Sequence, residues 1–281
     1  MSVRAPPDQE AKLVEAAAAA KVPWILPNEF ADDGSDEQLN KDNMYGLGKV
    51  ATRELIKKLG VSSYVAVATN FWYEYSVSAP GCFGVDIEHK TMTFFDEGKV
   101  RVRTTTWPMT GESIARILSL KVLPEDDGDK DVTLSSYKNK VAYVSSFVWD
   151  QHELFESVKR VTKTKDSDWK IQSVPVKKFW EENRNKLFSL QHEPFSPMAR
   201  TAFGLMIYSR CFFPDVKTPG ADDAVWVEER KKLGLPEEDL DEFTGVAVKM
   251  VEEGYMAKLH GADTKLAQEW IQEVVGKVNA A

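Results

Sequence analysis

Two apolar runs decide the reading of this chain: Val22-Pro23-Trp24-Ile25-Leu26, which stops at Pro27-Asn28-Glu29-Phe30, and Tyr64-Val65-Ala66-Val67-Ala68, which ends at Thr69-Asn70-Phe71. Between them lie a polar acidic stretch and a helical pattern entered through Tyr45-Gly46-Leu47-Gly48-Lys49. Strand, loop, helix, strand is the order of a parallel α/β unit. In such sheets ligands sit at the carboxyl ends of the strands. The two polar strand ends are therefore expected to face one crevice, with Lys49 on the helix between them.

Working outward, Asp8 is placed to cap a helix running from Lys12 through Ala20, whose alanines suit close packing on a sheet; Pro23 ends it. Glu29 to Asn43 reads as a loop, and Val50 to Leu59 as a helix with Gly60 as its stop. Thr91–Phe95 and Val100–Thr106 flank Asp96-Glu97-Gly98-Lys99 and read as a hairpin. Thr110-Gly111-Glu112 opens the next helix. Val141–Ser145 is a strand, Asp150 caps a helix carrying Leu154, Phe155, Val158 and Val161, and another strand follows Asp166-Ser167-Asp168. Val176–Leu190, Pro197–Phe213, Glu237–Glu253 and Thr264–Val278 are helical.

Composition limits the functions. The 281 residues are 43% hydrophobic and 28% charged, and 36 basic against 44 acidic residues give a formal charge of -8. A nucleic-acid surface calls for a clustered basic face, which this balance does not supply. The two cysteines do not make a disulfide framework, and neither a signal peptide nor an apolar run long enough to span a bilayer is apparent. The expectation is a cytoplasmic protein with a small-molecule substrate and no nucleic-acid or membrane partner.

Lys49 is the leading catalytic candidate. Tyr45 lies four residues before it, and on one helix face a lysine favours phenolate and orients a ribose. Gly46 and Gly48 weaken that turn as helix. Pro27, Asn28, Glu29, Phe30, Thr69, Asn70 and Phe71 are either turn residues or the lining of a ligand crevice. No metal site is expected: His152 with Glu153 and Glu156 lacks a further ligand at useful spacing. Gly111-Glu112-Ser113 lacks the second glycine of a nucleophile elbow. Neither G-x-G-x-x-G nor G-x-x-G-x-x-G occurs, so the loop that brings backbone and a helix N-terminus to a pyrophosphate is not found.

Leu13-Val14-Glu15-Ala16-Ala17 followed by Val22-Pro23-Trp24-Ile25-Leu26-Pro27-Asn28-Glu29-Phe30 resembles the AA-x-x-x-G-V-x-x-F-x-P-S-E-F segment of the NmrA-like and isoflavone-reductase-like proteins, which are atypical short-chain dehydrogenase/reductases. Lys49 matches their active-site lysine, at the head of a helix ending in Arg53, Ile56, Leu59 and Gly60. Asn70-Phe71 matches the segment bordering the nicotinamide. Ser145-Ser146-Phe147 to Arg160-Val161-Thr162, then Asp168-Trp169, matches the substrate side. The resemblance spans residues 8 to 195 and is nearest to fungal members.

The resemblance implies an α/β fold: an incomplete Rossmann-like parallel sheet over residues 8–90, with returning elements near 100–120 and 141–162. A smaller mixed α+β, helix-rich C-terminal substrate domain would occupy 163–281. It also implies NADP(H) as cofactor and an NADPH-dependent reductase acting on a small, aromatic molecule. The alternatives are a non-catalytic redox sensor or regulatory binding module, and a truncated inactive fragment. The chain departs from the pattern in lacking the first βα units with their glycine-rich loop, in having Asn28 where serine is usual, and in its Y-x-x-x-K. An open sheet edge at the first strand predicts poor solubility or a homodimer.

Overall fold

The computed structural model describes residues 8–32, 34, 36–43, 47–215, 224–261 and 263–280. In chain order they form α1 (Gln9–Ala19), β1 (Trp24–Ile25), α2 (Glu37–Asn43), α3 (Leu47–Leu59), β2 (Ser63–Ala68), β3 (Phe71–Trp72), α4 (Tyr73–Ser78), β4 (Val85–Asp86), β5 (Thr91–Phe95), β6 (Val102–Thr105) and α5 (Trp107–Leu118). After a 3-10 turn at Leu134–Tyr137 come β7 (Lys140–Tyr143), β8 (Phe147–Trp149), α6 (Gln151–Thr162), β9 (Lys170–Val174), α7 (Val176–Ser189), α8 (Pro197–Arg210), α9 (Ala224–Lys232), α10 (Leu240–Glu252), α11 (Tyr255–His260) and α12 (Thr264–Ala280).

The chain divides into two units: Met1–Phe71, Thr105–Ser146 and Asp222–Glu237 form the first, and Trp72–Thr104, Phe147–Ala221 and Glu238–Ala281 the second. The sequence reading drew its lines at residues 90 and 162–163.

The first unit is built on a parallel sheet of order β1-β2-β7. Trp24 lies opposite Ser63, and Val65 to Ala68 lie opposite Lys140 to Tyr143. Side chains alternate along a strand, and β2 shows the alternation as two separate cores. Val65 and Val67 join Met109, Ile117, Ala142, Val144 and Leu233, with Trp24, Leu26 and Phe30 against them. Tyr64 and Ala66 join Val14 and Ile56, with Ile25, Leu55 and Val141 against them. A parallel strand covered on both faces needs an apolar residue at every position, which is why the run from 64 to 68 has no polar member.

Several expectations change here. The span Glu29–Asn43 is not loop throughout: α2 occupies Glu37–Asn43, with Asp36 accepting from the Leu39 amide at 2.9 Å. The first strand is shorter than its apolar run, because only Trp24 and Ile25 pair with β2. The alanines of α1 do not bury: Val14 is its buried residue, and Ala16, Ala19 and Ala20 are exposed. The helix expected at Thr110 starts at Trp107, where the Thr106 hydroxyl accepts from the Met109 amide at 3.0 Å and Pro108 fits the first turn.

The hairpin across Asp96–Lys99 is overturned. β5 and β6 are both strands, but they lie in different sheets. In the second unit β5 pairs antiparallel with β4 and parallel with β9, while β6 pairs antiparallel with β8. The turn residues are used otherwise: the Val176 amide donates to Asp96 Oδ1 at 3.1 Å, and His152 Nε2 donates to the Glu97 carbonyl at 2.8 Å while its ring stacks on Phe94. Gln151, fully buried, ties this unit together by donating to the carbonyls of Phe83 and Thr93 and accepting from the Phe95 amide. Gly84, at φ +84°, passes so close that a Cβ would meet the Thr93 carbonyl oxygen and the Gln151 amide. The Asp150 cap on α6 is found as expected, as a reciprocal capping box with Glu153.

Candidate functional site

The first unit brings the two strand ends together through its backbone. The Ala31 carbonyl accepts from the Thr69 amide at 2.9 Å and from the Asn70 amide at 3.0 Å. Before it, the Glu29 amide donates to the Pro27 carbonyl and the Ala31 amide to the Glu29 carbonyl, two successive three-residue turns. The segment after β1 is thus coiled tightly against the end of β2. Pro27 and Glu29 are buried, Phe30 is half-buried against the core, and Asn28 is exposed with its amide 3.4 Å from Glu10 Oε1.

Lys49 and Arg53 are one turn apart on α3, and both are buried. Lys49 Nζ, 2% exposed, donates to the Asp32 carbonyl at 2.7 Å and to Asp32 Oδ1 at 2.9 Å. Arg53 grips Glu29 with both arms of its guanidinium, Nε to Oε1 at 2.9 Å and Nη2 to Oε2. The Glu29 carboxyl is 2% exposed, and burial raises its pKa above the ordinary value against the opposing pull of Arg53 and Lys49. A desolvated carboxylate needs such a partner, since an unpaired one costs several kcal/mol. These two cations fasten the loop after β1 onto α3, and Glu29 is engaged by Arg53 rather than free for a ligand.

Asn70 presents the site's open valence. Its backbone is left-handed, φ +53°, a conformation asparagine tolerates better than most residues. Its Nδ2 is buried and has no hydrogen-bond partner among the described residues. Thr69, fully buried, is held from below: the Thr105 hydroxyl faces both the Thr69 carbonyl and the Val144 carbonyl, the latter at 2.9 Å. The Thr106 amide adds a bond to Ser146 Oγ at 3.0 Å. Phe71 is half-buried at the start of β3. Tyr45 lies outside the described residues.

The loop after β1 is thus tied to the end of β2 through Ala31 and to α3 through Glu29–Arg53 and Asp32–Lys49. Sequence reasoning missed Asp32, Arg53 as the partner of Glu29, and Thr105. The signal for the first two was present, as two cations spaced i, i+4 on a helix that follows an acidic segment. Thr105 carried no local signal, because its contacts are 36 and 39 residues distant. As a seat for the nicotinamide end of a dinucleotide the fit is partial. Asn70 offers an unused donor, whereas Glu29 and the two Lys49 bonds to Asp32 are committed within the protein.

No protein-family model matches the chain, and no curated protein matches it. Solved structures do match in fold. AtPrR2 with NADP+ and (+)pinoresinol aligns at a TM-score of 0.59 and 19% identity over 86% of this chain and 70% of that one. Isoflavone reductase aligns at 0.56 and 15%, over 86% and 72%. NmrA, a negative transcriptional regulator, aligns at 0.52 and 13%, over 92% and 74%. The fold is the α/β, Rossmann-like one of NmrA-like and isoflavone-reductase-like proteins, with a helix-rich C-terminal part.

Proposed function

We propose that this chain is an NAD(P)H-dependent oxidoreductase-like protein acting on a small, aromatic molecule, and that the corner formed by Pro27–Phe30, Lys49 and Thr69–Phe71 takes the nicotinamide end of NADP(H). The carrying observation is Asn70 Nδ2. A buried amide donor without an acceptor costs about 1–3 kcal/mol, and a carbonyl or ribose oxygen brought by a ligand would remove that penalty. A bound nicotinamide would supply a hydride. The protein's own part is to donate from Asn70, to border the ring with Phe30 and Phe71, and to keep the loop rigid through Glu29–Arg53. Lys49 is the proton-carrying candidate and Tyr45 the second. The likeness to AtPrR2, whose structure contains NADP+ and pinoresinol, supports the cofactor and substrate classes.

A second reading is favoured by the Lys49–Asp32 pair. An ammonium that already serves a carbonyl and a carboxylate at 2.7 and 2.9 Å is not a ready proton relay. In that reading the corner binds a dinucleotide without turning it over, as a sensor or regulatory module.

Titration with NADPH, followed by nicotinamide fluorescence, tests both. Saturable binding weakened about tenfold in Asn70→Ala, with the far-ultraviolet spectrum unchanged, is the expected result; tenfold is about 1.4 kcal/mol, the scale of one such hydrogen bond. Absence of binding at millimolar NADPH refutes both readings. Reduction of an aromatic substrate, abolished by Lys49→Met, supports the enzyme. Saturable binding without turnover, in the natural chain and in Asp32→Asn alike, supports the sensor.

A further inference from the structure

At the opposite, amino-terminal end of the same parallel sheet the first unit has a cavity of about 330 Å³. It is bounded by the segment before the 3-10 turn, by that turn, by the start of β7 and by the last turn of α9. Strands of four to six residues put roughly 15 Å between this end and the corner holding Asn70. In volume it falls at the small end of pockets that hold organic ligands.

Its chemistry is uneven. Three lysines line it, Lys130, Lys140 and Lys232, each from a different segment of the chain. This occurs in a chain whose acids outnumber its bases by 44 to 36. Among the described residues Lys130 and Lys140 donate to backbone carbonyls, those of Asp127 and Ser136, at 3.0 and 2.9 Å. Lys232 has a surface partner in Glu228 at 2.8 Å, a contact between half-exposed groups that solvent weakens. The apolar part of the lining is the half-buried Val132 and Val141 with the buried Tyr137.

Two acids also line the cavity. Asp131 is drawn toward Lys121 at 3.3 Å. Glu229 is buried and already accepts the Tyr137 hydroxyl. Burial raises the Glu229 carboxyl above its ordinary value, while the Tyr137 hydroxyl and Lys232 pull it back down.

We propose that this cavity binds a small organic oxyanion, a phosphate monoester or carboxylate on an aromatic or apolar body. The head would lie among Lys130, Lys140 and Lys232, and the body against Tyr137 and Val141. The site is independent of the dinucleotide reading, because it draws on none of the residues at the carboxyl ends of the strands.

Calorimetric titration of the full chain with phenyl phosphate, benzoate, inorganic phosphate and phenol tests it. Saturable binding of phenyl phosphate or benzoate is expected, and the tighter of the two identifies the head group. Inorganic phosphate and phenol, each lacking one half of the match, bind at least about tenfold more weakly. The double variant Lys140→Gln, Lys232→Gln, at exposed positions and retaining most of each side-chain stem, loses at least about tenfold in affinity. In the natural chain the bound anion shields Lys140 from acetylation read by mass spectrometry. Asn70→Ala leaves all of this unchanged. No saturable binding of either aromatic anion overturns the proposal. So does affinity indifferent to the double variant, or inorganic phosphate binding as tightly as phenyl phosphate.

Discussion

Replacing Arg53 with methionine strands the Glu29 carboxyl in the interior with its counter-charge removed. The side chains are 9% and 2% exposed, and two hydrogen bonds join them, so water cannot take over the lost role. Removing one member of a buried pair costs about 3–5 kcal/mol. The lower end is expected, because methionine fills the stem and Lys49 still attracts the carboxylate.

The effect depends on pH with a definite sign. Burial holds the Glu29 pKa above its ordinary 4.5, and Arg53 is the strongest force opposing it. Without Arg53 the folded value climbs further. A carboxyl whose folded pKa exceeds its unfolded one contributes stability below about pH 4.5, and that contribution is lost as pH rises through the folded value. The deficit of Arg53→Met is therefore greatest at neutral pH and shrinks on acidification toward 4.5. Adding Glu29→Gln removes the stranded charge and restores most of the loss. Urea unfolding at several pH values measures the deficit, and amide exchange along Val65–Ala68 localises it to the first unit. A deficit below about 1 kcal/mol that does not vary with pH refutes the reasoning, as does a double variant no more stable than Arg53→Met.

Two further outcomes follow from the same packing. Gly84→Ala forces a Cβ onto the Thr93 carbonyl at a left-handed backbone position and should cost about 2–5 kcal/mol, whereas Gly60→Ala, also left-handed at φ +68° but with open space around it, should cost about 1–2 kcal/mol; thermal melts compare them. Cys82 and Cys211 are buried, and burial pushes both thiols well above their usual value, so a disulfide reagent at mild alkaline pH should label neither until the protein opens, and prompt labelling would contradict this.

The first unit was legible because its central strand is apolar at every position and its polar ends follow directly. In the structure Tyr64 and Ala66 enter one core and Val65 and Val67 the other. What escaped depended on distant partners. A strand sequence states that it will pair but not with what: Thr91–Phe95 chose Lys170–Val174, some eighty residues away, over the neighbour that Asp96–Lys99 suggested. The helix at Glu37–Asn43 escaped because its charged residues show no apolar stripe; its buried residues are Asn40 and Asn43. Lys49 became a candidate through its place on the helix between the two strands. Its commitment to Asp32 was hidden, since an acid in an acidic loop gives no sign of which cation it will meet.

The two units are threaded through one another along the chain, and this reaches back to the ribosome. The first opens with Met1–Phe71 but is completed only by Asp222–Glu237, roughly 166 residues later. At bacterial-to-eukaryotic elongation rates that is on the order of ten to thirty seconds. Throughout that interval the nascent polypeptide exposes β2 without the leucines of residues 233 and 235 that cover it. The second unit cannot finish until the last segment has been made. The first unit therefore closes only after residue 237 has been made, and no single cut in the backbone yields either half as an independent piece.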